Sequence, residues 1–190
     1  VAPLPAPLLS ATSERDVGEC VKERELEARM LPDSTFRWVV EGRDAKMKPG
    51  IAGFRAGDAA RFCVDVSRLG AGRPFVAFVG HLVSYEHMGT ARATCEGECA
   101  CEPETIDAHV EGGRFSVFKA RQIHMRRVAA SRPAPRVACD CQLRLEIANA
   151  SSSGEFKFKV LSLMVASVEA NFKYGHQAGF NVRPVGARVK

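Results

Sequence analysis

Along much of this chain apolar and polar side chains change places at every step, the period of a half-buried β-strand. In Arg61-Phe62-Cys63-Val64-Asp65-Val66, the residues Phe62, Val64 and Val66 share one face, while Arg61, Cys63 and Asp65 share the other. The cleanest alternation sets Cys141, Leu143, Leu145 and Ile147 inward against Gln142, Arg144 and Glu146 outward. The stretch Phe75 to Leu82 is apolar on both faces, which predicts a central strand covered from both sides. Further strands are predicted over 36–41, 51–54 and 91–95, from 115 onward, and over 156–168, the longest. Lys48-Pro49-Gly50, Arg55 to Asp58 and Asn149 to Gly154 read as turns. Residues 19–30 lack this alternation. They carry seven charges in twelve positions, with Leu26 and Met30 four apart, and predict a short solvated helix ended by Leu31-Pro32-Asp33-Ser34. About eight strands with almost no helix predict an all-β, antiparallel, jelly-roll-like β-sandwich.

Length and composition narrow the setting. At 190 residues the chain suits one generous domain, and 46% apolar with 26% charged residues excludes wholesale disorder. No apolar run is long enough to cross a bilayer, so no transmembrane segment is expected. Residues 1–15 hold three prolines without periodicity and read as a linker. The sandwich is expected over 16–174, with an irregular tail over 175–190. The first residue is Val, which suggests a piece of a longer protein with a neighbouring domain as one partner.

Seven cysteines change the picture further. Five fall in two clusters, Cys95, Cys99 and Cys101 against Cys139 and Cys141, and each C-x-C pair on a strand points both sulfurs to one face. Such density predicts disulfides and a secretory, extracellular location. Cys99 or Cys101 is expected to bridge to Cys139 or Cys141, closing a loop worth ~3–4 kcal/mol in the chain-entropy model. Cys20 and Cys95 are further candidates, and Cys63, mid-strand and far from both clusters, is the expected odd thiol. The alternative is zinc held by four thiolates, for which C-x-C spacing is poor. No metal and no cofactor are expected. Asn149-Ala150-Ser151 is an acceptor triplet for N-glycosylation beside a Ser-rich turn.

Several motifs together resemble a known family. Lys48-Pro49-Gly50, Gly57-Asp58, Leu82-Val-Ser84-Tyr85-Glu86-His87-Met88-Gly89 and Cys95-x-x-x-Cys99-x-Cys101 are followed by Cys141-Gln-Leu-Arg-Leu and Lys157-Phe-Lys-Val. The set resembles a domain of plant and green-algal secretory proteins that follows an SGNH-type, GDSL-like esterase domain. It runs from about Phe36 to Val168, and Cys63 and Cys139 depart from the family pattern. The resemblance implies an extracellular β-sandwich and adds little chemistry.

Candidate chemistry is correspondingly modest. The polar loop after the central strand, Tyr85-Glu86-His87, offers a ring to stack on a sugar and two hydrogen-bonding neighbours; a Tyr packed at the sandwich corner is the plainer alternative. Residues 113–138 carry Arg114, Lys119, Arg121, Arg126, Arg127, Arg132 and Arg136 with no acid, more than the whole net charge of +5. Arg126 and Arg127 are the candidate contacts to an anionic partner there, against a merely solvated face. Little aromatic interleaving argues against nucleic acid. Asp107 and His109 invite comparison with the acid–base pair of an SGNH hydrolase, but no Gly-Asp-Ser block accompanies them and no catalytic residue is expected. The expected function is a non-catalytic extracellular module that binds or scaffolds polysaccharide or glycoprotein of a cell wall or matrix. An accessory domain of an SGNH-type carbohydrate esterase or acyltransferase is the alternative, and a zinc-stabilised interaction domain the weaker one.

Overall fold

A computed structural model describes residues 17–42, 47–66, 74–128 and 139–167; the linker over 1–15, the tail over 175–190, Arg132 and Arg136 lie outside these. In chain order the elements are β1 (Val17–Lys22), α1 (Glu23–Ala28), β2 (Arg37–Glu41), β3 (Lys48–Gly53), β4 (Ala59–Cys63) and β5 (Phe75–Val83). They continue with β6 (Thr90–Gly97), β7 (Cys99–Cys101), β8 (Glu104–Asp107), β9 (Val117–Arg127), β10 (Cys141–Ile147) and β11 (Phe158–Ser167). The larger sheet has the order β2-β3-β11-β5-β9-β7, and the smaller has β4-β10-β6-β8. Every strand pairing is antiparallel.

The core is the space between the sheets. β10 buries Cys141, Leu143, Leu145 and Ile147 and leaves Gln142, Arg144 and Glu146 half-buried on the other face, as the alternation predicts. Phe62 and Ala60 from β4 and Ala91 and Ala93 from β6 join that layer. The opposite sheet answers with Phe75, Ala77 and Val79 of β5, Leu163 and Val165 of β11, and Ile123 and Met125 of β9. All nine residues of β5 are buried, and Val76, Phe78 and Ala166 form a second small cluster. The doubly apolar strand is thus central, as expected. Outside the smaller sheet, Arg144 of β10 meets Glu96 of the adjacent β6 at 3.6 Å and Arg61 of β4 reaches the same Glu96 at 3.4 Å, so outward residues of the sheet neutralise each other across strands.

Three expectations are corrected. The helix expected over 19–30 is confined to Glu23–Ala28, because Val17–Lys22 pairs with β11 instead. β3 covers only Phe158 to Val160 on that edge of β11, and β1 takes the rest, from Ser162 to Ala166. Satisfying that row of backbone donors and acceptors outweighs the local helical bias of a charged segment. Second, Lys48-Pro49-Gly50 is the start of β3 rather than a turn, with Pro49 opposite Val40. The β11 pairing of β3 begins only at Ile51, so Pro49 costs no ladder bond on that side. Third, Cys63 is not the odd thiol. It bridges to Cys139, Cys95 bridges to Cys101 and Cys99 to Cys141, and Cys20 is the free, exposed cysteine. The register explains this: Cys63 lies opposite Gln142, which brings it beside the residues entering β10. With six cysteines in disulfides, no thiolate set is left for zinc, and no group of metal-ligating residues exists among the described residues. No described helix is long and apolar enough to cross a membrane.

Candidate functional site

β5 and β9 run side by side with Val83 opposite Val117 at one end and Phe75 opposite Met125 at the other. The loop carrying Tyr85 to His87 leaves β5 at the first end. Backbone bonds fix it on both flanks. Ser84 N–H donates to Ala108 O at 3.0 Å and Val110 N–H to Ser84 O at 3.0 Å, while Gly89 N–H donates to Lys157 O at 2.7 Å and Lys157 N–H to His87 O at 3.1 Å. Ser153 Oγ donates to Met88 O at 2.6 Å. His87 sits at φ 62°, a left-handed conformation uncommon for a side chain larger than glycine, and its Nδ1 lies 2.5 Å from Glu155 Oε2. Ser84 Oγ meets Ser116 Oγ at 2.9 Å.

These residues wall an open groove of 590 Å³. Tyr85, Glu86 and His87 line it together with Ser84, Ser116 and Lys157 and, from the far side, Glu41 and Lys48. Tyr85 is 39% exposed, and Glu86 and His87 are exposed. The far wall is the β2–β3 hairpin, pinned by a shared carboxylate: Glu41 accepts from Lys157 and, at 2.9 Å, from Lys159. The Lys159 side chain is wholly buried and also donates to Lys48 O. Burial pushes the Glu41 carboxyl up, but the bonds and charges of Lys157 and Lys159 outweigh it and leave it below its ordinary value. Burial likewise holds the Lys159 ammonium below the usual lysine range, and Glu41 offsets only part of that.

The other expected residues lie elsewhere. Arg126 and Arg127 are exposed at the opposite end of β9, nine residues from Val117, roughly 30 Å at strand rise. They do not share a surface with Tyr85, because β9 carries the basic stretch lengthwise along the sheet. Arg126 borders a smaller recess of 290 Å³ with His124, Cys101 and Glu102, and Arg127 bonds Glu98 at 3.1 Å. The stretch without acids is partly paired through space, Arg121 with Glu104 and Arg127 with Glu98. Asn149 is exposed just after β10. Asp107 and His109 lie near the groove end, and His109 Nδ1 is 3.0 Å from Ser152 Oγ. Asp107 Oδ1, however, accepts the main-chain N–H of His109 at 2.9 Å. A hydrolytic base needs its ring held by the carboxylate, with the serine on the other nitrogen.

Sequence reading missed Glu41, Lys157 and Lys159. One signal was present: a lysine between Phe158 and Val160 in a buried strand needs an acid, though nothing local names Glu41.

No protein-family model matches the chain, and no curated protein matches it. Among solved structures it is similar to an insecticidal crystal protein, with a TM-score of 0.46 and 12% identity over 79% of this chain and 21% of that one. It is similar to the cycloalternan-forming enzyme from Listeria monocytogenes in complex with pentasaccharide substrate, with a TM-score of 0.45 and 8% identity over 73% of this chain and 12% of that one. A third is a carbohydrate-binding module of Cellvibrio mixtus lichenase 5A in complex with cellotriose, with a TM-score of 0.44 and 11% identity over 80% of this chain and 98% of that one. The chain therefore spans 21% and 12% of the first two structures' own lengths. At these scores the likeness is partial, and the functional reading rests on this chain's own residues.

Proposed function

We propose that the chain is a non-catalytic, extracellular β-sandwich module that binds polysaccharide in the groove between the Tyr85 loop and the β2–β3 hairpin. The observation that carries this reading is an exposed tyrosine ring on the wall of a groove that sets donors and acceptors of both kinds beside apolar Met47, Leu82 and Met88. A sugar ring presents a C–H face to an aromatic and hydroxyls to its rim, and this lining supplies both. Glu41 and Glu86 balance Lys48 and Lys157 in the lining, which suits a neutral glycan better than a polyanion. Three disulfides fit an oxidising compartment, and exposed Asn149 is an accessible glycosylation acceptor there. Within a longer protein the groove would hold glycan for a neighbouring SGNH-type domain, the second reading, which the resemblance from Phe36 to Val168 favours. Retention on insoluble plain and acetylated polysaccharide tests this, with released acetate measured alongside. Retention should fall about tenfold in Tyr85→Ala, the worth of one aromatic contact, with no acetate released. Acetate release that requires both His109 and Ser152 would overturn the non-catalytic reading.

A further inference from the structure

The outer edge of β9 poses a separate question. β7 pairs with it only through Met125, Arg126 and Arg127. From Val117 to His124 no described strand lies beside that edge, so among the described strands none takes up its outward N–H and C=O groups. The edge is also regular. Its pairing with β5 runs through nine consecutive residue pairs without a register shift. Phe115 is 78% exposed, Val117 44% and Phe118 54%, an apolar flank beside an open row of backbone groups. A ring from Phe118 lies over Gly80, where an added Cβ would clash with it, so this residue is seated on the sheet. The cations follow these apolar side chains along the strand. Lys119 and Arg121 share the face that Ile123 and Met125 present to the core, and Arg121 is bonded to Glu104.

We propose that this edge accepts an extended acidic peptide segment as an added β-strand, with acids at alternate positions and apolar residues between them. Alternation is required by the strand itself. A residue opposite Lys119 and another opposite Arg121 share one face, where carboxylates are favourable, and the residue opposite Phe118 falls on the other, where an aliphatic side chain covers the ring. Main-chain bonds to the open edge would supply affinity, and this pattern of side chains the selectivity. Charge complementarity decides against a second copy of the chain. Antiparallel pairing of two β9 edges about Ala120 would set Lys119 of each copy opposite Arg121 of the other, and like charges directly opposite are destabilising. A single lysine suffices to blunt an edge against aggregation, so the three exposed apolar side chains beside it point to acceptance of a chosen strand. This surface lies outside the lining of the glycan groove except for Ser116.

The probe is a capped octapeptide of alternating glutamate and valine, titrated into the folded chain while amide hydrogen exchange is followed residue by residue. Alternate amides within 117–124 should exchange at least about tenfold more slowly on saturation, because half of them point to the added strand. Peptides of alternating lysine and valine, or of glutamate and proline, should not do this. Lys119→Glu should weaken the effect roughly tenfold and leave glycan retention unchanged, which separates this site from the groove. Raised ionic strength should weaken it in the unaltered chain as well, a readout that does not depend on the variant's folding. Equal binding of the glutamate–proline peptide would show charge attraction without strand addition and overturn the proposal. No slowed exchange would overturn it too, as would protection in the peptide-free chain that grows with protein concentration, the mark of self-pairing.

Discussion

The two ends of the sandwich are held by different means. At one end, where β6 finishes and β10 begins, three disulfides join Cys63 of β4, Cys95 of β6, Cys99 and Cys101 of β7, and Cys139 and Cys141 at the start of β10. At the other, the Tyr85 loop, the strip around His109 and the Asn149 to Lys157 turn are held by backbone and side-chain hydrogen bonds and by burial of Met88 and Ala108, with no disulfide among the described residues. The same strands, β5, β6, β9 and β10, connect the two. Covalent closure at one end fixes strand spacing and register, so the loops at the far end can carry polar and strained residues such as His87 without setting the fold at risk. The groove proposed to bind glycan lies at the hydrogen-bonded end.

The comparison breaks most visibly if cysteines are removed. Replacing both members of a pair by serine should cost roughly 4 kcal/mol for Cys63–Cys139 and Cys99–Cys141 and about 2 kcal/mol for Cys95–Cys101, by the loop-length dependence of chain entropy. The sequence separations behind that order are 76, 42 and 6 residues. Denaturant unfolding of the three double variants checks it, and an equal loss from all three would contradict it. At the groove end, Glu41→Gln should cost roughly 2 kcal/mol, because the amide oxygen can still accept from Lys159 but no longer neutralises that buried ammonium. The same titration measures it, and a neutral outcome would mean that Lys159 leaves its site.

A smaller effect depends on pH. His81 is buried, stacks on Phe158 at 5.7 Å and bonds Val79 O through Nδ1 at 3.1 Å. Burial holds its pKa below the ordinary histidine value; the Val79 carbonyl opposes this, and Lys119 and Arg121 add to it. The folded state then binds fewer protons than the unfolded one. Its contribution is intact above the unfolded pKa near 6.5 and is lost as pH falls from there toward the folded value. His81→Phe should remove up to about 1.4 kcal/mol per pH unit of acid destabilisation in that window, read as stability between pH 7 and 5. A variant with the parent's slope would show that His81 does not carry it. The smallest effect concerns His87→Gly, where relief of the positive φ of 62° should offset the lost Glu155 contact to within about 1 kcal/mol. Its melting temperature should stay close to the parent's, and a large drop would show that the pair with Glu155 fixes the loop.

The legible parts of the fold are those whose cause is local. Cys141 to Ile147 could be read residue by residue, because one face of β10 meets the core and the other meets water. β1 could not, because its strand exists only to fill the edge of β11 that β3 leaves open, more than 130 residues along the chain at Met164. The Tyr85 loop was legible as the exit of a doubly apolar strand. Its far wall was not, since Glu41 and Lys157 are 116 residues apart and nothing in either stretch names the other. The basic stretch misled for a related reason. Closeness in sequence along an extended strand is distance in space, and Arg126 ends far from Tyr85.

Titrating a soluble neutral oligosaccharide into the isotope-labelled chain and mapping amide chemical shifts tests the account most directly. Shifts should gather at Ser84 to Met88, Ser116, Met47 to Lys48 and Lys157, and the amides of Cys99 to Cys101 and His124 to Arg127 should stay still. Shifts confined to those cystine-end residues, with the Tyr85 loop unmoved, would contradict it.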